Sequence, residues 1–253
     1  MINLEITNGD DVDRINNLLS TIGDDLDSVY NFFSWVKSSQ SLPKPSGNPG
    51  SQTIIRGETD GTMGMEIVKQ LLNWNQKSTL ILSGGVYGRE KSIGDIGAID
   101  LYKHVEYDLS LYGLSSNEIK QRTIIDSFSM HTIDQGRVLS GILRAIGCKD
   151  MIIVMPLYHF PRFTLILAHD LKKLNIKPNI ICMPFGDWDY PHPRKGYNGD
   201  EAHRFSYYDL FTMPPIDSKF KGKADCGEID KIVASVNNNN SLSFNSFMKW
   251  INS

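Results

Sequence analysis

Hydrophobic residues occur in two patterns along the chain, and the pattern changes near residue 51. From there on, short runs rich in Ile, Leu, Val and Met alternate with longer amphipathic stretches. The short runs occupy residues 53–55, 79–82, 123–125, 151–155 and 180–183. Apolar runs of this length are typical of strands buried on both faces, so they predict an α/β fold, a Rossmann-like parallel sheet with helices on both faces. Such sheets bind ligands at the carboxyl ends of their strands, which makes the residues after each run the candidates for function.

The amphipathic stretches have the spacing of helices. Within residues 10–39 they predict an N-terminal helical pair, with Asp10 or Asp11 capping the first helix and Asp24-Asp25 opening the second. Further helices are predicted at residues 62–75, 92–112, 131–146, 160–174, 227–235 and 242–252.

Three segments of a single domain follow from this order of elements. They are an N-terminal helical segment (1–42), a Rossmann-like core (51–185) and an irregular C-terminal extension (186–253) packed on the core. A loop rich in Pro, Gly and Ser at residues 43–50 separates the first two segments. We expect residues 186–226 to form a long ordered excursion over the sheet edge.

The charge balance limits the class of partner. The chain of 253 residues carries 26 Lys and Arg against 29 Asp and Glu, a net charge of −3. A broad nucleic-acid surface needs an excess of basic residues, so we expect a small-molecule ligand and no nucleic acid. No apolar run approaches the roughly 18 residues of a membrane span, and residues 1–17 do not resemble a signal peptide. The sequence therefore predicts a cytoplasmic protein with no membrane span.

Potential metal ligands are sparse. Cys148, Cys182 and Cys226 form no CxxC pair, which argues against structural zinc, and an odd, low count fits a reducing compartment. His192 and His203 lack a third ligand at a suitable spacing. No metal site is predicted.

The run at 79–82 leads directly into Ser83-Gly84-Gly85, and Arg89 follows. Glycines after a strand let backbone N–H groups approach a ligand closely, and such turns often bind anions. The same residues also fit a plain tight turn. The segment matches neither the GxxxxGK[ST] phosphate loop nor the GxGxxG fingerprint, which disfavours P-loop ATP hydrolysis and ordinary NAD binding. There is no GxSxG motif around Ser83, which disfavours a serine hydrolase.

Polar residues are concentrated after the run at 123–125. They include Asp126, Ser129, His131, Thr132, Asp134 and Gln135. Ser129 or Thr132 can cap the next helix, and Asp134 suits its positive first turn. A ligand site is the equal alternative, because a cap needs fewer polar side chains. His131 beside a helix N-terminus would stay neutral and act as a hydrogen-bond donor or base.

A third polar group, Tyr158, His159 and Arg162, follows the most hydrophobic run. Arg162, one turn into the next helix, can make a bidentate contact to a carboxylate or phosphate. The alternative is a packed histidine beside an arginine on a solvated face. Residues 56–61 after the first run either close the ligand cleft or form a solvated turn, and the turn is favoured.

In this order, the three motifs resemble those of the bacterial YdcF/SanA/ElyC family, a domain of unknown function. The family has a strand followed by Ser-Gly-Gly, as at residues 83–85. It then has an acidic residue and Ser-x-Asn-Thr-x-Glu-Asn at a helix start. Here Asp126, Ser129 and Thr132 match, whereas His131, Asp134 and Gln135 replace Asn, Glu and Asn. The last family motif is Tyr-His-x-x-Arg, which Tyr158, His159 and Arg162 match.

The resemblance covers about residues 51–185, and the N-terminal helical pair is similar to that of the soluble YdcF branch. It implies a Rossmann-like fold and, for this branch, S-adenosylmethionine as a ligand with no settled reaction. Other branches are linked to cell-envelope and lipid-carrier metabolism.

The leading functional hypothesis is a YdcF-like protein, an enzyme of unspecified reaction, that binds a nucleotide-like or phosphorylated small molecule. S-adenosylmethionine is the candidate cofactor. The residues assigned to catalysis are His159, His131 and Asp134. Those assigned to substrate binding are Ser83, Gly84, Gly85, Arg89, Asp126, Ser129, Thr132, Gln135, Tyr158 and Arg162.

Two alternatives belong to other functional classes. A phosphoryl or pyrophosphoryl hydrolase or transferase would use Asp126 and Asp134 as ligands of a divalent metal. A non-catalytic ligand-binding or partner-binding module would use the aromatic segment at residues 188–211 as its surface.

Overall fold

A computed structural model describes ten stretches of the chain. They are residues 9–39, 52–57, 64–84, 98–110, 113–129, 131–157, 159–185, 193–195, 202–204 and 228–253. These residues fall into two units. Residues 36–156 and 170–185 belong to the first, here called the sheet unit. Residues 1–35, 157–169 and 186–253 belong to the second, the helical unit.

The sheet unit is built on five parallel strands. In chain order they are β1 (Thr53–Gly57), β2 (Thr79–Ser83), β3 (Thr123–Asp126), β4 (Asp150–Pro156) and β5 (Asn179–Phe185). Each of the five apolar runs is therefore a strand, as predicted. The strand order across the sheet is β3-β2-β1-β4-β5, which is the Rossmann order. The direction of chain travel reverses between β1 and β4, so the switch point lies at their carboxyl ends.

Nine helices are present among the described residues. They are α1 (Gly9–Ser20), α2 (Leu26–Ser39), α3 (Met65–Trp74), α4 (Ala98–Ser110), α5 (Ser116–Arg122), α6 (Thr132–Ala145), α7 (Phe160–Lys173), α8 (Glu228–Asn237) and α9 (Phe244–Asn252). Both the N-terminal helical pair and the parallel sheet with its helices confirm the predicted fold class.

The two faces of the sheet carry different helices. The connections from β1 to β2 and from β2 to β3 step one way across the sheet, whereas the connection from β3 to β4 steps back. Right-handed crossovers then place α3, α4 and α5 on one face and α6 on the other. The first face buries Ile54, Leu80 and Ile152 with Val68 of α3 and Val105 of α4.

Helix α5 is the element that the hydrophobic pattern did not predict. It has only 7 residues, but its start carries a local signal, a capping box between Ser115 and Glu118. Its last residue, Arg122, donates hydrogen bonds to the backbone carbonyls of Leu72, Asn75 and Ser78. These bonds satisfy the C-terminal carbonyls of α3 and fix the start of β2 beside β3.

In the helical unit, residues distant in sequence meet in an aromatic core. Phe32 of α2 contacts Phe244 and Phe247 of α9 edge-on, at centroid distances of 5.3 and 5.4 Å. Asp24, between α1 and α2, accepts hydrogen bonds from the backbone N–H groups of Phe244 (2.7 Å) and Asn245 (2.9 Å). The first turn of α9 is thus capped by a carboxylate from the other end of the chain.

Within the predicted excursion at 186–226, the structure describes one antiparallel pair, β6 (Pro193–Lys195) and β7 (Ala202–Arg204). The rest of that segment lies outside the described residues. None of the described helices is long and apolar enough to cross a membrane.

Candidate functional site

The carboxyl ends of β2 and β3 bring two predicted site residues together. Ser83 and Asp126 are partners in the parallel register of these strands, and each is the last residue of its strand. Partner residues of neighbouring strands point to the same face of a sheet. The Ser83 hydroxyl donates a hydrogen bond of 2.7 Å to Asp126 Oδ2, and both residues are only 1% exposed.

Asp126 also shapes the turn that leads into α6. Its Oδ1 accepts the backbone N–H groups of Phe128 and Ser129, both at 3.1 Å, and its Oδ2 accepts the Ser129 hydroxyl. This is an Asx-type turn closed by a hydroxyl. With Ser83 included, four donors satisfy the two carboxylate oxygens, which is how a buried carboxylate is stabilised. The carboxylate therefore fixes two hydroxyl groups at this edge of the sheet.

The N-terminus of α6 follows directly and differs from the capping prediction. His131 is the N-cap residue, with extended backbone (φ −142°, ψ 162°), and its exposed side chain caps no N–H group of the helix. The expected capping by Ser129 or Thr132 is wrong, because the Ser129 hydroxyl bonds to Asp126 and Thr132 is the first helical residue. Asp134 lies half-buried in the first turn, as its charge favours.

Gln135 lies one turn into α6 on its buried face. The residue is 2% exposed, and its Oε1 has no hydrogen-bond partner in the described part of the chain. A buried acceptor left without a donor costs about 1–3 kcal/mol. This oxygen is therefore a place where a donor from a ligand or a water molecule is favourable.

The structure describes the remaining predicted substrate-binding residues only in part. Gly84 follows Ser83 and is buried. Gly85, Arg89 and Tyr158 lie outside the described residues. Phe128, which the motifs did not single out, is 82% exposed in the turn held by Asp126.

His159 and Arg162 come together in the helical unit. His159 is 1% exposed, and Arg162 Nη2 donates to its Nδ1 at 2.9 Å. Because a guanidinium has no acceptor, Nδ1 must accept and cannot carry a hydrogen. His159 is then the neutral tautomer with its hydrogen on Nε2, which is a hydrogen-bond donor.

Glu228, at the start of α8, is the partner that motif reasoning missed. Its Oε2 accepts Arg162 Nε at 2.8 Å, and its Oε1 accepts Lys231 Nζ at 2.9 Å. Burial of this 2% exposed side chain acts to raise its pKa, but the nearby positive charges, led by Arg162, hold the pKa below its ordinary value. Glu228 comes 66 positions after Arg162, and no local pattern signals the pairing.

Arg56 corrects another prediction. The solvated turn favoured for residues 56–61 is wrong at this position, because Arg56 lies inside β1 with a side chain that is 0% exposed. Its Nη1 donates to the backbone carbonyl of Gly57. Residues 58–61 lie outside the described residues. Arg56 is therefore a buried arginine near the carboxyl end of β1, where ligands of such sheets bind.

Neither a grouping of metal ligands nor sequence similarity assigns a chemistry to these residues. In the part of the chain that the structure describes, no three His, Cys, Asp or Glu side chains are grouped to hold a metal ion. No protein-family model matches the chain, and no curated protein matches it significantly.

Proposed function

We propose that the protein binds a nucleotide-like or phosphorylated small molecule at the carboxyl edge of its parallel sheet. The observation that carries this proposal is the buried Asp126, whose carboxylate orients the hydroxyls of Ser83 and Ser129 beside the N-terminus of α6. Carboxyl ends of strands in a sheet of this order are where such ligands bind. The motif resemblance to the YdcF branch supports the same edge.

A phosphate or another oxyanion suits this arrangement. Backbone N–H groups in the first turn of a helix attract anions, and the N-cap His131 provides no side-chain acceptor for them. Each serine hydroxyl donates its hydrogen to Asp126, so its lone pairs can accept from a hydrogen-bond donor elsewhere on the ligand, while the oxyanion is bound by the helix N–H groups. The buried Oε1 of Gln135 offers one further acceptor on the same helix turn.

The ring of Phe128 favours a planar, nucleotide-like group on the ligand. Its backbone N–H is tied to Asp126, and its side chain is 82% exposed. An exposed aromatic ring on a fixed backbone can stack on a heterocycle. S-adenosylmethionine, the ligand implied by the resemblance, combines such a heterocycle with a carboxylate. We assign acid–base chemistry at this edge to His131, the N-cap residue of α6, and to Asp134 in its first turn.

The metal-dependent alternative is less well supported. It requires Asp126 as a metal ligand, but both oxygens of that carboxylate already accept hydrogen bonds from neighbouring residues. Metal ligation would have to break bonds that build the turn. The partner-surface alternative concerns residues 188–211, which lie mostly outside the described residues.

The decisive experiment identifies the ligand and then removes Asp126. Mass spectrometry of the denatured protein and calorimetry against nucleotides, sugar phosphates and S-adenosylmethionine would name the ligand. We expect Asp126→Asn to weaken its binding at least about tenfold, because one oxygen of the turn becomes a donor. Asp150→Asn is the matched control. Asp150 lies at the amino end of β4, away from the carboxyl edge of the sheet, and accepts a hydrogen bond from Asn179.

Ser129→Ala tests the same site with a milder change. It keeps the backbone bond to Asp126 but removes the hydroxyl, and we expect weaker binding with a cooperative unfolding transition retained. The proposal is wrong if wild-type protein binds no compound of the panel. It is equally wrong if folded Asp126→Asn protein binds the ligand as tightly as wild type.

A further inference from the structure

We propose that Lys231 and Arg162 together bind a phosphate-like oxyanion, with Glu228 holding both cations in place. Lys231 is assigned no role by the motifs or by the family resemblance. The inference rests on the proposed function in one respect, which is that the ligand carries an oxyanion. It concerns the helical unit alone and is tested there.

One buried carboxylate holds both cations. Arg162 Nε bonds to one oxygen of Glu228 at 2.8 Å, and Lys231 Nζ bonds to the other at 2.9 Å. Glu228 itself is 2% exposed, so its carboxylate cannot swing freely. Two flexible cationic side chains are thereby held on the two oxygens of one buried carboxylate, with part of their conformational entropy already lost.

The charges of this cluster do not balance. Arg162 and Lys231 are positive, Glu228 is negative, and His159 is neutral because its Nδ1 accepts from Arg162. The neighbouring acidic residue on α8, Asp230, pairs with Arg14 at 3.3 Å. One positive charge remains in excess among these described side chains. A partly desolvated excess charge is stabilised by a counter-ion of opposite sign.

Both cations retain the means to bind that anion. The side chain of Arg162 is 23% exposed and that of Lys231 is 32% exposed, so neither is sealed from solvent. In its contacts with described residues, Arg162 uses two of its five N–H donors and Lys231 uses one of three. A tetrahedral oxyanion accepts from a planar guanidinium and a compact ammonium at once, which makes a phosphate monoester or diester the class of group expected.

The test is a calorimetric titration of the full-length protein with inorganic phosphate. We expect Lys231→Met to weaken phosphate binding about tenfold, since it removes one charge-assisted bond but keeps the apolar stem. Lys249→Met is the matched control, because Lys249 is exposed on α9 and its loss changes the net charge equally. Lys231→Arg should restore most of the affinity. Wild-type affinity in Lys231→Met, or no phosphate binding by wild type, overturns the inference.

A measurement on the wild-type protein covers the case in which Lys231→Met does not fold. Acetylation with acetic anhydride, read residue by residue by mass spectrometry, should slow at Lys231 in saturating phosphate but not in chloride. Lys249 serves as the internal reference and should react equally in both. Equal reaction of Lys231 in phosphate and chloride contradicts the inference.

The two proposals can fail separately. If Asp126→Asn loses ligand binding while Lys231→Met keeps phosphate binding, the sheet-edge site is supported and the role of Lys231 is contradicted. If Asp126→Asn keeps ligand binding while Lys231→Met loses phosphate binding, the Lys231–Arg162 anion site is supported and the sheet-edge site is contradicted.

Discussion

Ser83 and Asp126, 43 positions apart, end neighbouring parallel strands in register, and the serine hydroxyl donates to the carboxylate at 2.7 Å. The pair couples two sequence motifs that are each ambiguous alone. A Ser-Gly-Gly turn and a polar helix start are common features, but a shared buried carboxylate makes them one arrangement.

Removal of the Ser83 hydroxyl tests this coupling. We expect Ser83→Ala to lower the free energy of unfolding by about 1–3 kcal/mol, because buried Asp126 loses one of its donors. Urea unfolding followed by circular dichroism measures the change. Ser110→Ala, at an exposed helix end, should change stability by less than about 0.5 kcal/mol. Equal effects of both substitutions would show that Ser83 contributes no more than a surface hydroxyl.

Phe128 provides a test that separates the planar part of the ligand from its anionic part. Phe128→Ala should weaken binding of a nucleotide-like ligand by about tenfold, in the range of aromatic stacking on a base, with little change in unfolding temperature because the ring is 82% exposed. Binding of inorganic phosphate should not change. Tyr107→Ala removes another exposed ring, 67% exposed on α4, and should affect neither ligand. Unaltered nucleotide binding in Phe128→Ala protein would contradict the stacking role.

The tautomer of His159 can be observed directly. Long-range proton–nitrogen NMR spectra should show a hydrogen on Nε2 and an unprotonated Nδ1, because Arg162 donates to Nδ1. Arg162→Met should remove that preference. Exposed His131 supplies the reference signal, since it lacks this constraint. A wild-type spectrum with a hydrogen on Nδ1 would show that the Arg162 contact does not set the tautomer.

Asp24 and its neighbour Asp25 should affect the pH dependence of stability in opposite directions. Burial raises the pKa of Asp24 above 3.8, although backbone hydrogen bonds from Asn245 and Phe244 oppose the shift. A raised folded-state pKa means that the native state binds the proton more tightly, so this stability contribution is complete below about pH 4 and is lost as pH rises through the folded pKa. Asp25 accepts hydrogen bonds from Ser28, which lower its pKa below 3.8. Its contribution is present above that value and is lost as pH falls through the folded pKa.

Urea unfolding of Asp24→Asn and Asp25→Asn across pH 3 to 7 measures both effects. Wild type should lose stability relative to Asp24→Asn as pH rises above about 4, whereas it should lose stability relative to Asp25→Asn as pH falls below about 4. Parallel pH profiles for the two variants would contradict this assignment.

Local physics accounts for most of the elements that the sequence predicts. The five strands can be predicted from the sequence because a strand buried on both faces is apolar along its whole length, which a short local run of residues reveals. Helix α5 shows the limit of that signal, because seven residues are too few for a clear amphipathic period, although the capping box at Ser115 was present. Arg56 shows the opposite limit, since a charged residue beside glycine is typical of a turn yet lies buried in β1.

The amino-acid sequence by itself therefore determined the sheet, the helical pair and the strand ends at which polar groups gather. The tertiary structure decided which of those groups share a partner. Asp126 meets Ser83 because parallel pairing aligns the ends of β2 and β3. Glu228 meets Arg162, 66 positions away, because the start of α8 lies beside α7 in the folded chain. Contacts of this kind depend on the packing of distant segments, and hydrophobic periodicity carries no information about which distant side chains will meet.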